Sequence, residues 1–297
     1  MSTHSLSLFC KSYRTDLKRT LRLTKSVEKF NVDGIPFYVS VPAQDVALFT
    51  DYLAGTPARI ISDDAIIQSN PKHDLAKINA LHGGTSQQIV KSEFWRLGYS
   101  DVYLCVDSDS MFIREFRAGD FFADANTPYT VIDEGHELLD TAIATGKKEI
   151  LTNFYREARQ MQEIFGRAGR CFSYGPNPPI WHRAVWESLD REYLTPKGMS
   201  FYDATMQAPV DLNWYGEALL KYQAIRLIPC QPVFKVYHYA WQLDRDLRAK
   251  ISAQDWAQVY CGVIYQSAWD REMDWPAEPG NWSSKLARRL RRRLGRM

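Results

Sequence analysis

The 297-residue chain is long enough for one large α/β domain or two small ones, and its 45% apolar and 24% charged residues are ordinary for a globular protein. Its formal charge of +2 conceals an asymmetry, because residues 285–297 carry seven Lys or Arg and no acid, leaving 30 basic against 35 acidic residues and about −5 in the body. That balance argues against nucleic acid as a partner, which would need a basic face along the fold. The cysteines Cys10, Cys105, Cys171, Cys230 and Cys261 form no CxxC pair, which predicts a reducing compartment. No segment reaches the roughly 18–20 consecutive apolar residues of a membrane span, and the polar start Met1-Ser-Thr-His lacks the plan of a signal peptide. Cytoplasmic location without export is therefore the expectation.

In chain order, Leu6 to Cys10 is an apolar run that predicts a strand, and Leu17, Leu21, Val27 and Phe30 share one face of a helix predicted over Asp16 to Phe30. Asn31-Val-Asp-Gly34 predicts a turn, Ile35 to Val41 the next strand, Gln44 to Tyr52 a short helix and Arg59 to Ser62 a third strand. A helix over Ser86 to Leu97, stopped by Gly98, precedes Val102 to Val106, an apolar run typical of a strand covered on both faces. Strand and helix alternate, so a mostly parallel sheet is the economical architecture. Farther on the pattern predicts a strand at Tyr129 to Ile132, a helix over Glu149 to Phe165 and a Pro-rich loop at Gly175 to Pro179. Helices at Trp181 to Leu189 and Trp214 to Tyr222, and strands at Ile225 to Ile228 and Val233 to Tyr239, follow. Eight of the nine tryptophans lie at or after Trp181, where core packing is the plain expectation and a sugar-lining role the sharper one.

Tyr103-Leu-Cys-Val-Asp107-Ser108-Asp109 sets two carboxylates one residue apart where an apolar strand emerges into a loop. Ligands gather at the carboxyl ends of parallel strands. A Mn²⁺ or Mg²⁺ ion takes hard oxygen ligands, accepting one or two carboxylates while substrate phosphates and water complete its shell. The plain alternative is a loop whose Asp side chains bind nearby backbone amides.

An apolar strand ending in Asp-Ser-Asp, followed here by Ser110-Met-Phe112, resembles the DxD signature of GT-A glycosyltransferases. The likeness extends upstream: Leu8-Phe-Cys-Lys11-Ser12-Tyr13 resembles their first strand and nucleotide-binding loop. Gly83-Gly-Thr-Ser-Gln-Gln88 with Lys91 resembles the segment before the DxD strand in bacterial polysaccharide-cluster transferases. The resemblance implies a GT-A, Rossmann-like α/β fold with a mostly parallel sheet flanked by helices. It implies Lys11, Ser12, Tyr13, Lys91, Asp107 and Ser108 toward the donor, with Asp107 and Asp109 on the metal. It implies that His238, in Lys235-Val-Tyr-His238-Tyr, joins them on the ion. His73, His82, His136 and His182 lack any metal-site spacing.

Downstream, Asp211-Leu-Asn-Trp-Tyr-Gly-Glu217 resembles the transferase segment that starts a helix and supplies an acid near the acceptor. An inverting transfer needs a base for the acceptor hydroxyl. Glu217 is the first expectation for that base, with Asp211 as second candidate or as the helix N-cap. Asn177-Pro-Pro-Ile-Trp181-His182 resembles an acceptor-side loop with Trp181 available to stack on a sugar. In the basic tail, Leu286, Leu290 and Leu294 recur every fourth residue among arginines, which predicts an amphipathic helix on an anionic membrane surface.

The expected organisation is one domain over 1–282, with a nucleotide-binding half (1–133) and an acceptor-side half (134–282), and a basic tail over 283–297. The expected function is metal-dependent transfer of a sugar from a nucleoside-diphosphate donor to a glycan or lipid-linked glycan, in capsule or O-antigen synthesis, at the cytosolic face of the inner membrane. Two alternatives stand beside it. A haloacid-dehalogenase-like phosphatase also uses DxD, but on its first strand; an inactive nucleotide-sugar-binding module would share the fold without the chemistry.

Overall fold

The computed structural model describes residues 6–175 and 178–267. The tail at 283–297 and Asn177 of the Pro-rich loop lie outside these described residues. Strands β1 (Leu6–Lys11), β2 (Phe37–Val41) and β3 (Ala58–Ser62) alternate with helices α1 (Leu17–Phe30) and α2 (Val46–Tyr52). Helices α3 (Asp63–Gln68), α4 (Leu75–Asn79) and α5 (Gly83–Glu93) then lead into β4 (Val102–Cys105). The later half runs β5 (Ser110–Phe112), β6 (Thr130–Val131), α6 (His136–Ala144), α7 (Lys148–Phe165), β7 (Ile180–His182) and α8 (Arg183–Leu189). It continues through α9 (Phe201–Gln207), α10 (Asp211–Tyr222), β8 (Pro229–Cys230), β9 (Phe234–Tyr237), α11 (Ala240–Arg248), α12 (Ala253–Ala257) and β10 (Gly262–Tyr265).

The central sheet has the order β3-β2-β1-β4-β7, with the first four strands parallel and β7 antiparallel at the edge. Side chains alternate across it, so the two faces carry two apolar cores. Phe9, Tyr103 and Cys105 pack on one side against Phe94, Trp181, Trp186 and Trp214. Leu8, Cys10, Val39 and Leu104 pack on the other against Leu23 and Val27 of α1. That double cover is why β1, β2 and β4 read as near-continuous apolar runs, interrupted only by Ser7 and Ser40 before the closing Lys11, instead of alternating ones. The fold is thus mixed α/β around a mostly parallel sheet flanked by helices. Among the described residues no helix is long and apolar enough to cross a membrane.

Several local expectations shift. The helix before β4 begins at Gly83, where the His82 Nδ1 caps the Gly84 N–H, and its last turn tightens at Phe94–Leu97 before Gly98 closes it at a left-handed φ of 68°. Ile180–His182 is strand β7, where a helix is expected from Trp181, because the β4 edge offers unpaired backbone and the core behind it takes Trp181. Ile225 to Ile228 is not a strand; the short pairing falls at β8 against β6. Trp181 is 1% exposed, with Tyr103, Trp186 and Tyr215 around it, so it packs the core and is not free to stack on a sugar.

A second sheet, β5-β10-β9, follows directly from the Asp107–Asp109 turn. Strand β10 pairs antiparallel with β5 and parallel with β9, which brings the end of the described chain back against that turn. Gly262 lets these strands close up: a Cβ there would stand 2.3 Å from the Phe234 ring and 2.7 Å from the Met111 carbonyl oxygen. Gly262→Ala is therefore predicted to lower stability by about 1–3 kcal/mol, as overpacking of a close-packed site does. Urea unfolding measures it, and an unchanged midpoint would contradict this packing.

Candidate active site

Val106 ends the β4 pairing by donating its N–H to the Phe9 carbonyl at 2.7 Å, and Asp107 then leaves the sheet beyond its carboxyl edge. A tight turn, Ser110 N–H to Asp107 carbonyl at 3.0 Å, folds the next three residues back into β5. The turn is anchored on both sides. Ser108 Oγ donates to Asp16 at the start of α1 at 3.1 Å, and the Tyr265 N–H donates to the Asp109 carbonyl at 3.1 Å.

Asp109 is buried, 7% exposed. Its Oδ2 accepts from both the N–H and the hydroxyl of Ser267 at 2.9 Å, while its buried Oδ1 has no hydrogen-bond partner among the described residues. Burial first, and then Asp107, push its pKa up to about 6 against the opposing Ser267 bonds. Asp107 is half-exposed and accepts from Lys91 Nζ at 2.6 Å. Burial alone would lower the Lys91 pKa, but Asp107, Cys105 and Asp211 outweigh it, and the net shift is upward, keeping the ammonium charged.

Asp211 joins this cluster from the other half of the chain. It is 5% exposed at the first residue of α10, one position inside the helix from the N-cap residue Val210, whose side chain makes no capping bond. Gln88 Oε1 holds its backbone N–H at 2.9 Å, which explains why the Gln-Gln segment of α5 matters here. One carboxylate oxygen accepts from the Leu212 N–H at 2.8 Å; Oδ2 is buried without a partner. Burial raises the Asp211 pKa to about 6, with Lys91 opposing and Asp107 adding to the shift.

The other expected residues stand in different settings. Lys11 is enclosed at the end of β1, 2.9 Å from Asp63 Oδ2, and donates to the Ser12 carbonyl at 2.7 Å. Ser12 is buried on Thr20, and Tyr13 is exposed at the mouth of the loop. Glu217 is 2% exposed, but Arg167 grips both its oxygens at 2.6 Å and the Tyr174 hydroxyl reaches it at 3.1 Å. Six residues along α10 from Asp211, Glu217 lies about 240° around the helix, so the two acids face different surroundings.

His238 ends β9, beside β10 and two strands from Asp109. It is buried, with its N–H on Gln242 Oε1 at 2.8 Å, and it lines a cavity of about 30 Å³ with Asp133, Glu137 and Ser173. Burial lowers its pKa, Glu137 opposing. Among the described residues no three His, Cys, Asp or Glu side chains converge as an ion cage, so the structure does not bring His238 together with the two aspartates. Sequence reasoning missed Ser267 as a partner of the site, and for Gln88, quoted in the Gln-Gln segment, only the fold reveals its contact with Asp211.

The chain belongs to a family of unknown function (DUF6492), whose match spans residues 4–275. No curated protein matches it. Among solved structures it is similar to mouse xyloside xylosyltransferase 1 in its apo form, at 8% identity and a TM-score of 0.44, over 89% of this chain and 98% of that one. It is also similar to the WbbM bifunctional glycosyltransferase in its apo form, at 8% identity and a TM-score of 0.49, over 96% of this chain and 52% of that one. The chain thus spans about half the length of WbbM. Likenesses this distant leave the function of the chain to be argued from its own residues.

The raised aspartates make a stability prediction. A carboxyl whose folded pKa lies above its unfolded value binds more protons in the folded state, so its contribution is full below about pH 4 and is lost as pH rises through about 6. Asp109→Asn and Asp211→Asn should each stabilise the ion-free protein at pH 7.5, on the order of 1–3 kcal/mol, and do so much less at pH 4. Chemical denaturation at the two pH values decides it. A gain equal at both would show that relief of buried charge is not the cause.

Proposed function

We propose that this family member is a glycosyltransferase that moves a sugar from a nucleoside-diphosphate donor to a glycan or lipid-linked glycan acceptor. The observation that carries the reading is the buried, partnerless Oδ1 of Asp109 beside Asp107, at the carboxyl end of a central parallel strand. Two crowded carboxylates with one unmatched oxygen suit a hard divalent ion, which takes one or two carboxylates and completes its shell with phosphate oxygens and water. Asp107 and Asp109 would hold Mn²⁺ or Mg²⁺, and the bound ion would neutralise the charge developing on the departing diphosphate. Lys91, already charged beside Asp107, is within the same cluster to meet a phosphate. Tyr13, exposed beyond β1, presents a ring for the base.

For the base, the reading prefers Asp211 to Glu217. Asp211 has an unpartnered oxygen and a pKa of about 6, so it is ionised at neutral pH yet basic enough to take a proton. In an inverting transfer the acceptor oxygen bonds to the anomeric carbon as its proton passes to Asp211, and the bond from that carbon to the phosphate oxygen breaks. Glu217 is saturated by Arg167 and Tyr174. The phosphatase alternative would place its nucleophilic Asp on the first strand, where this chain has Cys10-Lys11.

A thermal-shift screen of nucleoside-diphosphate sugars with and without Mn²⁺ tests the reading, since a ligand of the native state raises the midpoint. The expected result is ion-dependent stabilisation that Asp109→Ala abolishes. Stabilisation by none of the donors, or stabilisation indifferent to Asp109, overturns it. With the donor identified, Asp211→Asn should lower kcat about 10²–10⁴-fold while leaving the ion-dependent shift in place.

A further inference from the structure

A groove of about 950 Å³ runs along α1, walled by Met111, Phe112 and Ile113 from the segment that follows the Asp107–Asp109 turn. Ligand pockets run to roughly 300–1,000 Å³, so this one is of ligand size. Lys18, Arg22, Lys25 and Lys29 line it, at the i, i+4, i+7 and i+11 positions of α1, and no Asp or Glu is among its described lining residues. Like charges at these spacings repel along a helix.

The floor is of the opposite kind: Leu21 and Phe30 from α1 face Met111 and Ile113 from the β5 segment, with Tyr52 at the rim. The backbone in that wall is already engaged. Phe112 N–H donates to Ser26 Oγ and Ile113 N–H to the Cys261 carbonyl, both at 3.0 Å, and Ser110 N–H is held in the Asp107 turn. Among the described residues these N–H groups of the wall are thus already taken, which disfavours pairing with a peptide strand, the way sheets usually take extended chains. What it offers is apolar side-chain surface bordered by ammonium and guanidinium groups.

We propose that this groove binds a phosphate-headed lipid, with the phosphate on the Lys18–Arg22–Lys25–Lys29 stripe and the hydrocarbon on Leu21, Phe30, Met111 and Ile113. Basic side chains suit this task, because their stems cover apolar surface while their charges meet the headgroup. Lys18, Lys25 and Lys29 are exposed and available for it. Arg22 ties the groove to the turn, donating to the Asp109 carbonyl at 3.4 Å and lying over the Tyr265 ring. The proposal stands whatever reaction the carboxylates perform.

Thermal shift of the full chain with dihexanoyl phosphatidic acid, monomeric in solution, tests it. Dihexanoyl phosphatidylcholine, inorganic phosphate and an acidic Leu/Glu peptide serve as comparisons. The expected result is a Tm rise of about 5 °C at roughly hundredfold excess over Kd with phosphatidic acid alone. The triple variant Lys18→Glu/Lys25→Glu/Lys29→Glu and the rim variant Tyr52→Asp, all at exposed positions, should keep the ligand-free Tm and lose most of that rise. Equal stabilisation by phosphate would reduce the groove to an anion site and overturn the proposal. So would equal stabilisation by phosphatidylcholine, stabilisation by the peptide alone, or variants that respond like the parent, which would place the lipid elsewhere, the basic tail included.

Discussion

Three carboxylates and one ammonium share the end of β4, and the surroundings of the site answer that imbalance. Lys91 lies against Asp107 and offsets one negative charge; Asp109 and Asp211 have been taken out of water with no cation of their own at bonding distance. Desolvating a carboxylate is expensive unless donors replace its water. The chain supplies some of them: Ser267 gives Asp109 an N–H and a hydroxyl, and Leu212 gives Asp211 one N–H. What is left over appears as two raised pKa values and two buried oxygens without partners. Such incomplete matching is tolerated where a rigid frame holds it. Here the frame is a sheet packed on both faces, with Phe9 stacked on Phe94 at 4.0 Å on one side and α1 on the other.

The parallel sheet decides which residues meet. Each strand delivers its last side chains to the same edge: Lys11 from β1, Ser40 from β2, Asp63 just after β3 and Asp107 just after β4. Lys11, Ser40 and Asp63 lock to one another, which fixes the first three strand ends and leaves the fourth to project alone. Helix α1 then grips the projecting turn at two points, Asp16 on Ser108 and Ser26 on Phe112. The second sheet holds it from the far side through Tyr265 and Ser267. The turn is therefore clamped by elements more than 150 residues apart in sequence.

Much of this frame was legible in the sequence, for a physical reason. Leu6–Cys10, Ile35–Val41 and Val102–Val106 are apolar almost throughout, broken only by Ser7 and Ser40 among the polar types, because both sheet faces are covered, and a run of that kind has few alternatives. The strand end at Asp107 was legible because an apolar run cannot continue through two carboxylates. Strand β7 was not: Ile180-Trp181-His182 is three residues long and owes its strand form to the β4 edge, a partner 75 or more residues away. Strand β10 escaped for the same reason, since Gly262 signals close approach only once Phe234 and Met111 are seen against it. The site was half legible. Asp107 and Asp109 stand out by their spacing after an apolar strand, and Gln88 and Lys91 only by the resemblance of their segment, whereas Ser267 is an ordinary residue made relevant by a contact that no local pattern encodes.

Asp211 and Glu217 show why the base could not be chosen from sequence. Both are acids on one helix and both are buried, and the sequence puts Glu217 first with Asp211 as second candidate or N-cap. Their partners separate them. Arg167 meets Glu217 with a two-pronged guanidinium, which satisfies both oxygens with charge-assisted bonds and turns the pair into a brace between α10 and the end of α7. Asp211 receives no such fork; it has one backbone N–H and a share of a lysine already committed to Asp107. Under the proposed reading the base is the acid whose burial is only partly matched, Asp211, while the fully matched Glu217 serves the packing. The distinction rests on a residue 50 positions from Glu217, and it turns on geometry that spacing along the helix does not contain.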